Sequence, residues 1–371
     1  MARLGDVATY VNGYAFKPSD WSDAGLPIIR IQDLTGNAYQ ANRYNGKYDK
    51  KYEVNDGDIL ISWSASLGVY VWSGEKSVLN QHIFKVVFDK AEVNKSFFAY
   101  QVQNILENAA SQTHGATMKH LTKPIFDALP FHLPPMKEQQ SVASILDKVS
   151  GLISQRKQQL AKLDELVKAR FVEMFGDPVG NPMQWRKEPL GNHIDVLTGF
   201  PFDSTGYVNS GIKICGGLII MPDTINWSDC KYWSDTIGFE NYLLADNDIV
   251  MALDRPWISD GFKIAMISEK DLPCLLIQRT ARIRAQDMDQ LFIYSLLQDD
   301  TFSAHCNITG SLVPHISHKD IKSYPAIVPP IELQRKFASF SRNIKRQKLT
   351  IQQSLDKLEV LKKSLMQEYF G

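Results

Sequence analysis

Three groups of side chains have types and spacings that suit chemistry. Asp223, Asp320 and Lys322 could form a nuclease-like set, but 97 residues separate the carboxylates and the set does not recur. Cys306, His315 and His318 are metal-ligand types. A closed zinc site needs four ligands, and no fourth lies at a matching spacing, so loop and surface positions are the simpler reading. The third group consists of hydrogen-bonding side chains with no catalytic partner. "NQH" contains Gln81 and His82; "IQRTAR" contains Gln278, Arg279 and Arg282. Gln and Arg pair bidentately with adenine and guanine edges. If "IQRTAR" is a strand, Gln278 and Thr280 face one side and Arg279 and Ala281 the other. "SWSASLG" and "LDRPWISDG" add Trp63, Ser64, Arg255 and Trp257. The two tryptophans either stand in exposed loops or cap a core. "THGATMKH" and "ITGSLVPH" add Gly115, Lys119, Gly310, Ser311 and His315. A glycine there lets backbone amides approach a phosphate.

Every segment of the third group occurs in a pair, which leads back to the elements that hold it. "LGDVATYVNGYAF" at 4–16 matches "LGNHIDVLTGFPF" at 190–202, an offset of 186. "YEVNDGDILIS" matches "YLLADNDIVMA" at 190, and "LNQHIFKVV" matches "LIQRTARIR" at 197. "GATMKHL" and "GSLVPHI", "LPPMKEQ" and "VPPIELQ", and "FVEMFG" and the closing "MQEYFG" all match at 195. Matches in one order with slowly drifting offsets mean a duplicated unit. The period is far too long for a solenoid repeat.

Each copy has a mixed body and a helical tail. Short β-rich runs such as "PIIRI", "DGDILISW" and "IFKVVF", or "IKICGGLII", "DNDIVMA" and "TARIRA", are punctuated by Gly, Asn and Asp, as strand ends require. A helical stretch follows, "SFFAYQVQNILENAASQ" or "QLFIYSLLQDDTFSAH", and then a Pro-Pro segment. The first tail places seam residues at Val142, Ile145, Val149, Leu152, Arg156, Leu160, Leu163, Val167, Arg170 and Met174. The second places them at Phe337, Phe340, Ile344, Lys348, Ile351, Leu355, Leu358, Lys362, Leu365 and Tyr369. Steps of three and four are heptad spacing. Two related stripes in one chain predict that the tails pair antiparallel, with Val149, Leu160, Leu163, Ile351, Leu355 and Leu358 at the interface. Gly176, followed by Pro178, is placed to end the first helix. The predicted class is α+β: two similar mixed α/β domains, 1–135 and 177–330, and two long coiled-coil helices, 136–176 and 331–371, with an internal pseudo-twofold repeat.

The chain of 371 residues carries 41 Lys+Arg against 41 Asp+Glu. The balance is uneven along it: residues 177–330 hold 12 basic and 19 acidic residues, whereas 331–371 hold 9 and 4. The bulk basic charge of a lone nucleic-acid binder is absent. No apolar run is long enough to span a membrane, and the start lacks a signal-peptide core. The four cysteines lie only in the second copy without CxxC spacing. A reduced, cytoplasmic compartment follows as the expectation.

A body, a helix ending "FVEMFGDPVGNPMQW", a second body and a second helix, with "PPMKEQ" and "PPIELQ" entering the helices, resembles the specificity subunits of type I restriction–modification systems. The resemblance covers the whole chain. It implies that 1–135 and 177–330 are target recognition domains, each reading one half of a bipartite, asymmetric sequence in double-stranded DNA. It implies that the helices set the distance between the halves. The implied partners are two methyltransferase subunits carrying S-adenosylmethionine and, in the full complex, restriction/translocase subunits using ATP and Mg. No cofactor is implied in this chain. Longer members carry a further helical segment; here the sequence ends at the second FG phrase.

The motifs agree. No GxxxxGK[ST] phosphate loop is present. Neither Pro-Pro pair follows Asn or Asp, so an adenine-methylating motif is missing. The competing readings are a stand-alone nuclease or methyltransferase with unrecognised motifs, and a two-domain scaffold that binds something other than DNA.

Overall fold

The computed structural model describes residues 1–36, 42–64, 66–111, 122–306 and 315–371. The chain divides into two compact units. Met1–Gln158 and Ile351–Gly371 form one; Gln159–Thr350 form the other. The division falls inside both long helices, so each unit owns a body and two helical ends.

The first unit has six principal strands: β1 (Thr9–Asn12), β2 (Leu26–Ile29), β3 (Ile59–Ser62), β4 (Gly68–Val71), β5 (Ser77–Leu79) and β6 (Ile83–Val87). An antiparallel sheet has the order β1-β6-β3-β4. A second sheet pairs β2 in parallel with β5, flanked by Arg43–Tyr44 and Glu53–Val54. Strand β3 is buried along its whole length, and Ile59, Leu60 and Ile61 are apolar because both its faces are covered. Ile59 and Ile61 enter the core beneath helix α1 (Lys95–Ser111), while Leu60 faces Ile29, Val54 and Leu79 of the second sheet. Helix α2 (Met136–Phe175) leaves this unit and ends in the other.

The second unit repeats the plan with β7 (Ile194–Thr198), β8 (Ile212–Cys215), β9 (Ile249–Ala252), β10 (Ile264–Met266), β11 (Cys274–Leu276) and β12 (Thr280–Ala285). One sheet has the order β7-β12-β9-β10, and β8 pairs in parallel with β11. Strand β9 divides its faces as β3 does: Ile249 and Met251 enter the main core, Val250 the smaller one. The single helix expected after the sheet is split into α3 (Gln290–Gln298) and a short helix at Asp300–His305. Asp299 is the reason. Its backbone turns extended, and its carboxylate accepts from Thr301 N at 2.9 Å, an N-cap that starts a new helix.

The last helix is α4 (Ile331–Phe370). Both long helices have 40 residues, so each runs about 60 Å. The Pro-Pro segments end at their first turns. In the first unit Gln139 donates to Pro134 O at 2.8 Å and accepts from Asn94 N at 2.9 Å. Asn94 in turn caps α1 by accepting from Phe97 N at 3.0 Å. In the second unit Gln334 donates to Pro329 O and accepts from Asp289 N, both at 2.8 Å, and Asp289 caps α3. Each glutamine is buried. The repeated "PPxxxQ" phrase is therefore a hinge pin that fixes a long helix to the capping residue of a body helix.

The repeated FG phrase has an equally local cause. Gly176 adopts φ 74° and donates to Val172 O at 2.8 Å, ending α2 in a left-handed residue. Just before it, Phe175 packs edge-on against Phe292 of α3 at 4.7 Å. In the first unit Phe370 packs against Phe97 of α1 at 5.3 Å. Each body is thus closed by the end of the helix that follows the other body.

Within the second unit α2 and α4 run antiparallel. Phe171 meets Phe337 at 5.4 Å, Arg170 lies 5.8 Å over the Phe340 ring, and Asp164 pairs with Lys348. In the first unit Lys157 bonds Glu359 at 2.9 Å. The seam differs from the sequence expectation at one end of α2. Ile145 and Leu152 are exposed, and Leu146 and Ile153 take the inward positions. Both choices keep three–four spacing, and packing against α1 and the C-terminal segment favours the neighbouring stripe. Val149 and Leu355 are buried; Leu160, Leu163, Ile351 and Leu358 are half-buried.

Candidate nucleic-acid interface

In the second unit, three segments meet where β9 ends and β12 begins. Leu253 N donates to Arg279 O at 2.9 Å, and Ile316 N to Leu253 O at 2.8 Å. The side chains converge on a carboxylate. Asp254 accepts from Arg279 Nη1 at 2.7 Å and bonds His315 Nδ1 at 2.6 Å. Burial alone raises the Asp254 carboxyl, but the bonds from His315 and Arg279 outweigh it and hold the group below its ordinary range. The Arg279 side chain remains 73% exposed. Its guanidinium is therefore oriented from one side and open on the other, the arrangement a base-reading arginine needs.

The backbone presents these groups at a steric cost. Arg279 has φ 63° and Arg255 φ 45°. Non-glycine residues in that region cost about 1–3 kcal/mol and gather at functional loops. Arg255 and Gln278 are exposed, and Gln278 N is fixed to Phe200 O at 2.8 Å. Trp257 resolves to a core cap: it is half-buried and stacks on Phe262 at 5.0 Å with 17° between rings.

Two expectations are corrected here. Gln278 and Arg279 are not on a strand; β12 starts at Thr280, and the left-handed Arg279 turns the chain. Arg282 is not a loop donor. It is buried in β12, bonded to Asp195 at 2.7 Å and to Asn241 O at 3.1 Å. Alternation from Thr280 directs this arginine along the sheet face, where Asp195 of the neighbouring strand compensates its charge.

The first unit builds the same turn from other residues. Trp63 N donates to His82 O at 3.2 Å, and His82 has φ 71°. The Trp63 ring stacks on Phe84 at 5.6 Å, contacts His82 at 5.0 Å, and donates from Nε1 to Asn12 Oδ1 at 3.1 Å. Trp63 is therefore partly a core cap and partly a wall beside His82. Gln81 N donates to Tyr14 O at 2.8 Å, the counterpart of the Gln278 bond. Ser64 is buried, and its carbonyl accepts from Ser62 Oγ at 3.2 Å. Gly115, Lys119, Gly310 and Ser311 lie outside the described residues.

The residues of the rival chemistries are not brought together. Asp223 accepts from Tyr294 at 2.7 Å, whereas Asp320 caps its own helix by accepting from Ser317 N and Oγ at 2.7 Å. Cys306 is buried with its thiol pushed up to about 12 by burial first and Asp320 second, a poor source of thiolate. His315 bonds Asp254, and His318 bonds Val196 O at 3.0 Å. Among the described residues, no cluster of three His, Cys, Asp or Glu could hold a metal, and no helix is long and apolar enough to cross a membrane. The residue missed from sequence was Asp254. Its one signal was its place beside Arg255 in "LDRPW".

Duplicated mixed α/β units, each showing polar side chains on a left-handed turn, define a protein built from a repeated module. Residues 1–164 match the family described as the type I restriction modification DNA specificity domain. The chain is 25% identical over 395 residues to the type I restriction enzyme MjaVIII specificity subunit of Methanocaldococcus jannaschii, covering 99% of this chain and 90% of that one. It is 36% identical over 178 residues to the EcoAI specificity subunit of Escherichia coli, covering 46% of this chain and 30% of that one. The crystal structure of a type I restriction–modification S subunit from M. genitalium has the same fold, with TM-score 0.59 and 14% identity over 100% of this chain and 95% of that one. The family match covers the first 164 residues, and over nearly its whole length the chain is similar to a type I restriction enzyme specificity subunit.

Proposed function

We propose that this chain is the non-catalytic reader of a bipartite, asymmetric DNA target. Residues 1–135 read one half and residues 177–330 the other. The observation that carries the reading is the turn held twice in the same backbone with different side chains. His82 and Arg279 occupy equivalent left-handed positions, each pinned by a main-chain bond from the loop that follows the central strand. One scaffold with exchanged donors is what two different half-sites require.

Two methyltransferase subunits would supply S-adenosylmethionine, and restriction/translocase subunits would supply ATP and Mg. A neutral chain with an acidic second body needs basic partners to neutralise phosphates, which supports work inside a complex. Methylation mapping of cellular DNA with and without this chain tests the reading. A two-part motif should vanish with the protein. Methylation by the purified chain alone, with S-adenosylmethionine and DNA, would overturn the non-catalytic assignment.

A further inference from the structure

Leu218 is 93% exposed, although the residues after it, Ile219 and Ile220, are buried. It stands at the apex of a tight turn that follows β8. Ile219 N and Ile220 N both donate to Gly216 O, at 3.1 and 3.2 Å. This turn lies close against the sheet. A Cβ on Gly216 would lie 3.0 Å from Ile277 Cγ2. One on Gly217 would lie 3.5 Å from Ala252 Cβ, 3.8 Å from Thr280 Cγ2 and 3.9 Å from Arg279 O. The turn therefore packs on the ends of β9 and β12, from which Asp254 and Arg279 project. A fully exposed leucine adds no burial to the fold, yet this one directly follows a glycine that lies against Ala252, Thr280 and the Arg279 carbonyl.

The first unit puts a different residue at the same place. Strands β2 and β8 both pair in parallel with the strand before the left-handed turn, ending in the pairs Ile29 with Leu79 and Cys215 with Leu276. Three residues beyond each strand stand Gln32 and Leu218, both exposed. A polar group in one unit and an apolar one in the other is the exchange expected of side chains that face different bases. The apolar group that duplex DNA offers in its major groove is the thymine 5-methyl.

We infer that Leu218 is a specificity-determining residue that packs on a thymine methyl in the half-site read by residues 177–330. The inference rests on the DNA-reading assignment above. The test uses the complex of this chain with its methyltransferase subunits and its mapped target. Each thymine of both half-sites is replaced singly by deoxyuridine, and binding is measured for the native chain, Leu218→Ala and Leu218→Met. At one position of the second half-site, uracil should weaken the native complex about fourfold. It should leave Leu218→Ala unchanged and retain most of its effect in Leu218→Met. Uracil in the first half-site should affect all three alike. Equal uracil sensitivity of native and Leu218→Ala complexes at every position, or a second half-site without thymine on either strand, would overturn the inference alone. A native complex that binds its target no better than random duplex would overturn the DNA-reading assignment with it.

Discussion

Arg279 donates from Nη1 to Asp254 Oδ2 at 2.7 Å while its backbone holds φ 63°. The side chain is positioned by an acceptor, and the main chain is strained to present it. Both features belong to the loop rather than the core, and both should separate function from stability.

Replacing Arg279 by glycine removes the donor and relaxes the left-handed residue. Relief of the strained φ, about 1 kcal/mol, should offset loss of an exposed ion pair worth less than about 1 kcal/mol. Denaturant midpoints should stay level or rise. Binding should weaken by about 1–3 kcal/mol, with discrimination lost in the second half-site only. Loss of stability without loss of discrimination would show a purely structural arginine.

Asp254 makes the loop acid-sensitive. Its folded carboxyl titrates below the ordinary value of 3.8. Its contribution is therefore full above the unfolded carboxylate pKa and is lost as pH falls through the lowered folded value. Native protein and Asp254→Asn should differ in stability by a constant amount near neutrality. The difference should shrink once pH drops below about 4. A gap that widens on acidification would mean that the two donors do not stabilise the carboxylate.

The hinge pins at Gln139 and Gln334 should matter equally. Each satisfies one buried carbonyl and one N–H. Gln139→Leu or Gln334→Leu leaves both groups without that partner, at a cost of roughly 2–4 kcal/mol. Calorimetry should show either change lowering the midpoint of the unit that carries it. An unchanged midpoint would reduce the "PPxxxQ" phrase to a sequence marker.

The helix seam gives a contrast. Leu355 is buried, whereas Leu152 is 42% exposed. Leu355→Asp should destabilise by a few kcal/mol, and Leu152→Asp should change stability by less than about 0.5 kcal/mol. Equal effects would restore the stripe expected from heptad counting alone.

Much of this architecture was legible because it is written twice. The 195-residue spacing of "PPMKEQ" and "PPIELQ" located the helix starts, and the FG phrases located their ends. Short β-rich runs bounded by Gly, Asn and Asp identified the strands, and heptad spacing identified the tails. What stayed hidden was set by tertiary choice. Ile145 or Leu146, and Leu152 or Ile153, satisfy heptad spacing equally, and only packing decides between them. Arg279 and Arg282 are two arginines in one segment, yet a left-handed turn exposes the first while Asp195 holds the second in the sheet. Asp254 has no motif of its own; its role exists only where three segments meet.

Exchange of residues 177–330 for the matching body of a relative with a different target tests the central claim most directly. The readout is methylation mapping in cells that supply the methyltransferase subunits. The account predicts a hybrid motif whose first half is unchanged and whose second half is the donor's. An active hybrid that altered both halves, or neither, would contradict two separate reading units.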